Sequence, residues 1–519
     1  MTQRNNTVAP VPASNRMTTE SMNTQHVDEL LSQELNSLSF QDRSKIQEEI
    51  HGVANLCPDE THEMMESSLK YMQHYLDNIK HKPIFDQISP FSYVHSRDFR
   101  LSFLRCELYD PKKAAERLVR FTEYMSEEYD MEVLERPLQM SDLQTKSGKR
   151  GKEVFDCFKS GHTQLLPFRD RSGRRIAVTN PNYAMVYDPE IRYKSYQYIL
   201  FVASRDIETQ QKGLVFVSWG KGEAASWPHK EELIRADRLF SSMPVRFASI
   251  HQCYDNTPIF QLFNAINILL MKGGGNKMRL QTHLEDDCEV RYKLLTFGIP
   301  VDLLPVTESN KLKTKNHHLW MKGRRAIEQV EQNAGQYNAT SNLVDCPALA
   351  DVVFKAGTSN ISHPGNSIFR ELLFANYNAY FDAKTHASKQ EVVSTVIQDV
   401  TRRDGKFLEW DNCGCWAIIG DPGLVRKKVY NSLFYFKKTF SARSNVQMTV
   451  CSTFAFERQD GKKRKRESDG SEASYNALHW DHRCGWASCL ALFQGQTRAF
   501  GGSSTAAGVK HMVAQSHDA

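Results

Sequence analysis

The sequence lacks the segments that would place a protein across a membrane or in an oxidising compartment. No run approaches the roughly 20 apolar residues that span a bilayer, and residues 1–25 are polar, without the apolar core of a secretory signal peptide. The 11 cysteines are scattered, without the close spacing of a secreted disulfide framework. We therefore predict a protein of the cytoplasm, with the nucleus as the alternative, that meets membranes only at their surface.

The sequence also lacks the short motifs of the common enzyme classes. There is no nucleophile elbow and no glycine-rich dinucleotide turn, and the glycine run after Lys272 lacks the final Lys-Ser/Thr of a phosphate-binding loop. His479, His482, Cys484 and Cys489 match none of the familiar zinc spacings. The sequence predicts no enzyme, no cofactor and no metal site.

The 519 residues are enough for several domains, and their composition changes along the chain. The net charge of +5 is too small to indicate nucleic-acid binding by itself. The predicted organisation is 1–26 disordered, 27–150 an N-terminal helical lobe, 151–305 an α/β domain, 306–345 a basic linker, 346–445 a small α-rich (α+β) domain and 446–519 a largely disordered tail.

Residues 27–129 have helical periodicity, and the clearest helix start is Asp110-Pro111. Asp110 can cap free N–H groups, and Pro111 occupies a first-turn position where no donor is needed. Ala114, Leu118 and Phe121 then form one apolar stripe.

The pattern changes to strands beyond residue 160. Residues 165–178 predict strand, turn and strand, and residues 213–218 and 245–251 predict two further strands. Residues 231–242 form a candidate crossover helix, and residues 258–271 are the most apolar helix candidate. Helices of this length between strands indicate βαβ units and a mixed, mostly parallel sheet.

Three segments together resemble the CRAL-TRIO (Sec14-like) lipid-binding family. They are the run from Phe103 to Asp110 with the helix after it, the hairpin residues Pro167, Arg169, Asp170, Gly173, Arg174 and Ile176, and the later residues Met243, Pro244, Arg246, Ile250, His251, Asn256, Pro258 and Phe260. The resemblance implies a helical lobe and a mostly parallel sheet that encloses a cage for an apolar ligand. It also implies a gate helix that moves to admit lipid.

By this resemblance, one set of side chains forms the lipid pocket and gate: Phe216, Phe247, Phe260, Phe263, Ile266, Leu269 and Leu270. The alternative is that they are ordinary core residues. A second set forms the head-group or phosphate candidates: Lys311, Lys313, Lys315, Arg324 and Arg325. The alternative for these is a solvated charged surface.

A second signature begins at Asp351 and continues through His363-Pro364-Gly365-Asn366 to Phe369 and Arg370. It resembles a domain of unknown function with an HPGN signature, and that name implies no biochemistry. The periodicity predicts helices followed by a small hairpin formed by residues 407–410 and 416–419.

The leading hypothesis is binding or exchange of a phospholipid or another hydrophobic ligand at a transient membrane surface, with the C-terminal domain as an adaptor. The alternative is a nuclear nucleic-acid-binding or regulatory protein, in which the C-terminal domain contacts nucleic acid or a protein partner. The nucleic-acid candidates are Arg402, Arg403, Lys406, Arg426, Lys427 and Lys428. The nuclear-import candidate is the run Lys462, Lys463, Arg464, Lys465 and Arg466, which has the composition of an import signal.

Overall fold

The computed structural model describes residues 35–222, 230–270, 274–334, 342–355, 363–411 and 415–435, together with residues 29, 32 and 33. The two segments predicted to be disordered, 1–26 and 446–519, lie outside the described residues. Within the described ranges, no helix combines the length and the hydropathy that crossing a membrane requires.

The N-terminal part is helical, as predicted. Asp110 accepts a hydrogen bond from the backbone N–H of Lys113 with Pro111 in the first turn, so the predicted helix start is confirmed. Ala114, Leu118 and Phe121 are fully buried. The helices are α1 (Phe40–Ile50), α2 (His62–Asn78), α3 (Arg97–Cys106), α4 (Pro111–Glu128), α5 (Glu132–Glu135), α6 (Asp142–Thr145) and α7 (Gly151–Lys159).

A mixed five-stranded sheet follows, which confirms the predicted α/β class. The strands are β1 (Thr163–Arg169), β2 (Arg175–Thr179), β3 (Leu214–Gly220), β4 (Phe247–Tyr254) and β5 (Leu280–His283), and they lie side by side in chain order. β1 pairs with β2 antiparallel, and β2 to β5 are parallel. The β1–β2 turn requires Gly173, because its φ of +87° is strained for other residues.

Helices cover both faces of this sheet. They are α8 (Pro181–Ala184), α9 (Pro189–Ala203), α10 (Ile207–Lys212), α11 (Lys230–Ser242), α12 (Pro258–Leu270), α13 (Gly274–Arg279) and α14 (Asp287–Thr296). Because side chains alternate along a strand, Leu214 joins the core formed with the helical lobe, and Val215 and Val217 join a second core with α14.

The segment 306–345, predicted as a basic linker, contains a 20-residue helix, α15 (Lys315–Ala334). Trp320 is 3% exposed, and its ring lies 6.2 Å from that of Phe158 and 6.4 Å from that of Tyr198. The sequence did not predict this helix, because the positive charges of the segment gave it the composition of a linker. The buried face of the helix carries Trp320, Met321 and Ile327.

The C-terminal part combines helices with a second sheet. Its elements are β6 (Leu343–Val344), β7 (Val352–Phe354), α16 (Pro364–Ala375), α17 (Tyr377–Asp382), α18 (His386–Thr401), β8 (Phe407–Trp410), β9 (Trp416–Ile418) and a helix at 422–435, α19. The predicted hairpin pairs Trp410 with Trp416. Two further strands, β6 and β7, complete a sheet of order β6-β9-β8-β7. The sequence did not predict these two strands, because such short strands give little periodic signal.

Arg174 in the β1–β2 hairpin joins three distant segments. Its Nε donates to Asp170 Oδ2 at 2.5 Å. Its Nη1 donates to the carbonyls of Glu49 and Ile50 at 2.6 and 3.1 Å, and its Nη2 donates to the carbonyl of Phe297 at 3.0 Å. The end of α1 and the turn after α14 therefore share one buried guanidinium.

Replacing Arg174 with Met should lower the free energy of unfolding by about 3–5 kcal/mol, because Asp170 would be left as a buried, unpaired charge. Chemical denaturation of the full chain measures this change. Arg171→Met is the matched control, since Arg171 is exposed and its Nη2 donates to the carbonyl of Leu295. We expect this control to cost less than about 1 kcal/mol; equal losses in the two variants would contradict the role given to Arg174.

Candidate ligand-binding cavity

A cavity of about 950 Å³ lies against one face of the sheet, where β3, β4 and β5 meet α4, α11 and α12. Phe216, Ile250 and Leu280 line it from the three strands, and Asn267 lines it from α12. A space of this size is typical of small-molecule sites in proteins.

Three phenylalanines form an aromatic wall in the cavity. The ring centroids of Phe216, Phe240 and Phe247 are 5.2 to 6.4 Å apart, and each pair meets edge to face. Cys106 also lines the cavity, and burial raises the pKa of its thiol to about 11. Cys106 therefore acts here as a small, neutral, apolar side chain.

Basic residues also line the cavity, and two of them lie at the amino ends of β4 and β5, here called the charged end. Arg246 immediately precedes β4 and Arg279 immediately precedes β5, and since these strands are parallel, both arginines reach the same edge of the sheet. Lys113, Arg117 and Arg120 line the cavity from α4. Burial, and then the neighbouring charge of Arg117, lower the pKa of Arg120.

Some of these charges already have partners. Arg117 forms an ion pair with Glu107 at 2.5 Å and donates to the carbonyl of Met243 at 2.6 Å, so it fixes the end of α11 against α4. Lys113 pairs with Asp110 at 3.1 Å. The cavity lining therefore combines aromatic rings with basic side chains, a combination that suits an amphiphilic molecule.

Helix α12 is attached to the sheet beside the cavity by polar groups. Thr282 Oγ1 donates to Asn264 Oδ1 at 2.5 Å, and the amides of Asn267 and Gln252 meet at 3.5 Å. The outer surface of the helix carries apolar side chains, with Ile259 45% and Leu262 42% exposed.

The predicted pocket and gate residues have different positions. Phe216 and Phe247 line the cavity. Phe260 stacks on Tyr254 with centroids 4.6 Å apart, and Phe263 meets the same ring edge to face at 6.0 Å. The side chains of Ile266, Leu269 and Leu270 lie outside the described residues.

The predicted head-group residues do not line this cavity, which the β4–β5 side of the sheet forms. Lys311, Lys313 and Lys315 are exposed near the start of α15. Arg324 is 5% exposed and pairs with Glu328 and Glu331, so it is not available to a head group. Arg325 lies over the ring of Phe155.

Sequence reasoning missed the charged end of the cavity. Arg246 belongs to the motif that carries the CRAL-TRIO resemblance. The position of Arg279 beside it depends on β5, a four-residue strand that begins directly after Arg279 and that the sequence did not predict. The available signal was a positive residue directly before each of two parallel strands. It can be recognised only once both strands are known.

In the C-terminal domain, the HPGN motif joins a strand to a helix. The side chain of Asn366 accepts from the N–H of Val353 at 2.8 Å and donates to its carbonyl at 2.9 Å. Pro364 is in the first turn of α16. A Cβ on Gly365 would lie 2.0 Å from the carbonyl oxygen of Asp351, so only glycine permits this approach.

The C-terminal domain matches a known protein family. Residues 351–433 match DUF6824, a domain of unknown function. The match confirms the predicted HPGN-signature unit, and no CRAL-TRIO family model matches the chain. None of the curated proteins matches it.

The segment just before the DUF6824 domain is joined to the large sheet by buried arginines. Arg169 donates to the carbonyl of Pro347 at 2.9 Å and pairs with Asp206 at 2.8 Å and Glu208 at 3.2 Å. Arg175 pairs with Asp345 at 3.2 Å. Hairpin residues that resemble a lipid-binding motif therefore also position the segment leading into the DUF6824 domain.

The nucleic-acid candidates lie on the surface of the DUF6824 domain, partly neutralised. Arg402 pairs with Asp399 at 2.7 Å, and Lys428 pairs with Glu409 at 3.1 Å. Arg403, Lys406, Arg426 and Lys427 are exposed. Residues 351–433 contain ten Lys and Arg and nine Asp and Glu, so the domain has almost no excess positive charge. The run Lys462–Arg466 lies outside the described residues.

Replacing Gly365 with Ala should lower the free energy of unfolding by about 2–3 kcal/mol, because the strand carrying Asp351 must move away. Gly420→Ala is the matched control in the same domain, since nothing lies within 4 Å of a Cβ at that position. The control should change stability by less than about 0.5 kcal/mol. Equal stabilities of the two variants in chemical denaturation would show that the close approach is unimportant.

The strands β4 and β5 also contain a buried histidine pair, His251 and His283, with Nδ1 and Nε2 3.1 Å apart. Burial lowers the pKa of His283 from 6.5 to about 4. Because the unfolded chain takes up the proton first, the free energy of unfolding should fall as the pH drops from about 6.5 to about 4.

His283→Gln should remove part of this pH dependence, about 2 kcal/mol at the acid end of the window. Urea unfolding at several pH values measures it. His62→Gln is the control, because His62 is exposed, and it should leave the pH dependence unchanged. A variant at position 283 with the wild-type pH dependence would count against a neutral buried pair.

Proposed function

We propose that this protein binds an amphiphilic lipid, such as a phospholipid, in the cavity above β3, β4 and β5, and takes it up at a membrane surface. The observation that carries the proposal is that one cavity is lined both by aromatic rings, those of Phe216, Phe240 and Phe247, and by the basic residues Arg246 and Arg279. An acyl chain would lie against the rings and a head group near the guanidiniums.

The energetics favour a long chain over a small polar ligand. Each methylene removed from water contributes about 0.8 kcal/mol, so ten buried methylenes would contribute about 8 kcal/mol before the costs of association. The aromatic wall supplies the apolar contact that this transfer requires. The arginines at the charged end would orient the ligand, because an anionic head group buried away from them would lack a partner, which is costly.

The resemblance to the CRAL-TRIO family supports the same proposal from the sequence. Its hairpin and later motif fall on β1, β2 and β4, so the segments that carry the resemblance form three strands of the sheet, and β4 is one of the strands that line the cavity. By this resemblance α12 is the gate. The amides of Asn264 and Asn267 fit that role, since polar contacts can be exchanged for water when a helix moves away.

The DUF6824 domain is proposed as an adaptor that contacts a protein partner. The buried contacts of Arg169 with the carbonyl of Pro347 and of Arg175 with Asp345 would hold the segment that leads into it in a defined position. The alternative of nucleic-acid binding stays a prediction, and the near balance of charges in residues 351–433 does not favour it.

The proposal is tested by filling the cavity from its floor. Ile250→Trp should abolish binding of a fluorescent fatty acid, because the indole would occupy the space beside Phe216 and Phe247. Ile234→Trp is the matched control: Ile234 is 50% exposed on α11 and does not line the cavity. Mass spectrometry of lipid extracted from purified protein gives an independent measurement.

We expect wild type and Ile234→Trp to bind the probe alike and to contain extractable lipid, while Ile250→Trp does neither and remains folded by circular dichroism. Binding that survives in Ile250→Trp would place the ligand elsewhere. A wild-type protein that takes up no lipid under any condition would overturn the proposed function.

A further inference from the structure

Two of the arginines that line the charged end of the cavity, Arg246 and Arg279, already have an anionic partner from the chain itself. Glu49, near the end of α1, is 1% exposed, although an isolated buried carboxylate is costly. Its Oε1 accepts from Arg246 Nη1 and, at 3.2 Å, from the N–H of Leu56. Its Oε2 lies 2.6 Å from Arg279 Nη1. One carboxylate therefore bridges the two arginines that line the cavity.

Both arginines retain donor capacity beyond this carboxylate. Arg246 Nη2 donates to the carbonyl of Gln211 at 2.9 Å, but its Nε is buried with no hydrogen-bond partner. Arg279 Nη1 also donates to the carbonyl of Ala248 at 2.9 Å. These backbone contacts hold the guanidiniums in place independently of Glu49, so the arginines would stay at the cavity if the carboxylate moved.

The charges at this end do not balance. Two guanidiniums share the single carboxylate of Glu49, and a third, that of Arg174, is committed to Asp170. Burial lowers the pKa of Arg279, Glu49 acts in the opposite direction, and Arg246 and Arg174 lower it further. An additional negative charge would therefore be favourable here.

We propose that Glu49 is an internal plug, a carboxylate that engages Arg246 and Arg279 beside the cavity until the oxyanion head group of a bound ligand replaces it as their partner. The inference rests on the proposed function and concerns its regulation. A carboxylate and a phosphate monoester share the required chemistry, because both accept paired N–H donors from arginine. A neutral amphiphile cannot make the exchange.

Helix α1 need not detach when the carboxylate leaves. Arg174 holds the carbonyls of Glu49 and Ile50, and the side chains of Ile46 and Ile50 are buried beneath the sheet. The segment that loses a contact is the turn after α1, because the N–H of Leu56 donates to Glu49 Oε1. Ligand binding should therefore change the hydrogen exchange of the amides in and beside this turn, at residues 49–57.

The test compares three probes of equal chain length on the full protein: a fatty acid, a monoalkyl phosphate and the neutral fatty-acid methyl ester. Glu49→Gln should bind the two anionic probes about tenfold more tightly than wild type, because the competing carboxylate is gone, and should bind the ester equally well. The acid and the phosphate arms show which head group benefits more. Glu48→Gln is the matched control, since Glu48 is the exposed neighbour.

Hydrogen exchange of the wild-type protein provides a second measurement that needs no folded variant. The amides of residues 49–57 should exchange faster when either anionic probe is bound, and should be unchanged with the methyl ester. Faster exchange with the ester, or none with the anions, would overturn the plug. The same conclusion would follow if Glu49→Gln folded and kept the wild-type ratio of acid to ester affinity.

Failure of the plug and failure of the proposed function would give different binding results. If wild type binds the ester and the acid but residue 49 has no influence on either, the plug is wrong and the cavity function stands. If neither wild type nor Glu49→Gln binds any of the three probes, the proposed function itself is wrong, and the plug with it.

Discussion

The buried guanidinium of Arg174 is the contact on which the arrangement of the large sheet depends. It sits in a hairpin whose turn requires Gly173, and it joins Asp170, the end of α1 and the turn after α14. A single planar group with five donors can satisfy carbonyls from several directions, which a lysine cannot do. Because Glu49 lies at the end of α1, the same contact also fixes the carboxylate that reaches Arg246 and Arg279.

The position of the cavity follows from the parallel strands. Ligands in open parallel sheets usually bind beyond the carboxyl ends of the strands, but this cavity lies on a face and its charged end is at the amino ends of β4 and β5. Residues that precede parallel strands are brought to one edge, so Arg246 and Arg279 meet although 33 positions separate them. The aromatic wall comes from β3, β4 and α11, and its member Phe247 directly follows Arg246 in the chain.

Local patterns predicted much of the fold correctly. The cap at Asp110, the hairpin around Gly173 and the apolar helix from Pro258 were recognisable because caps, turns and periodicity depend on neighbouring residues. Short strands such as β5 and β6 escaped, since two to four residues carry no periodicity. The buried face of α15 escaped as well, because Lys315, Arg324 and Arg325 gave it the composition of a linker.

The sequence by itself determined the mixed α/β class, the helical lobe and the DUF6824 domain, all of which depend on short-range patterns. Tertiary structure alone decided which charges face a ligand. Arg324 appears available in the sequence, but Glu328 and Glu331 neutralise it within the fold. Arg246 and Arg279 look unrelated in the sequence, and folding places both on Glu49. The free energy of a charge is set by its burial and its partners, and those partners are distant along the chain.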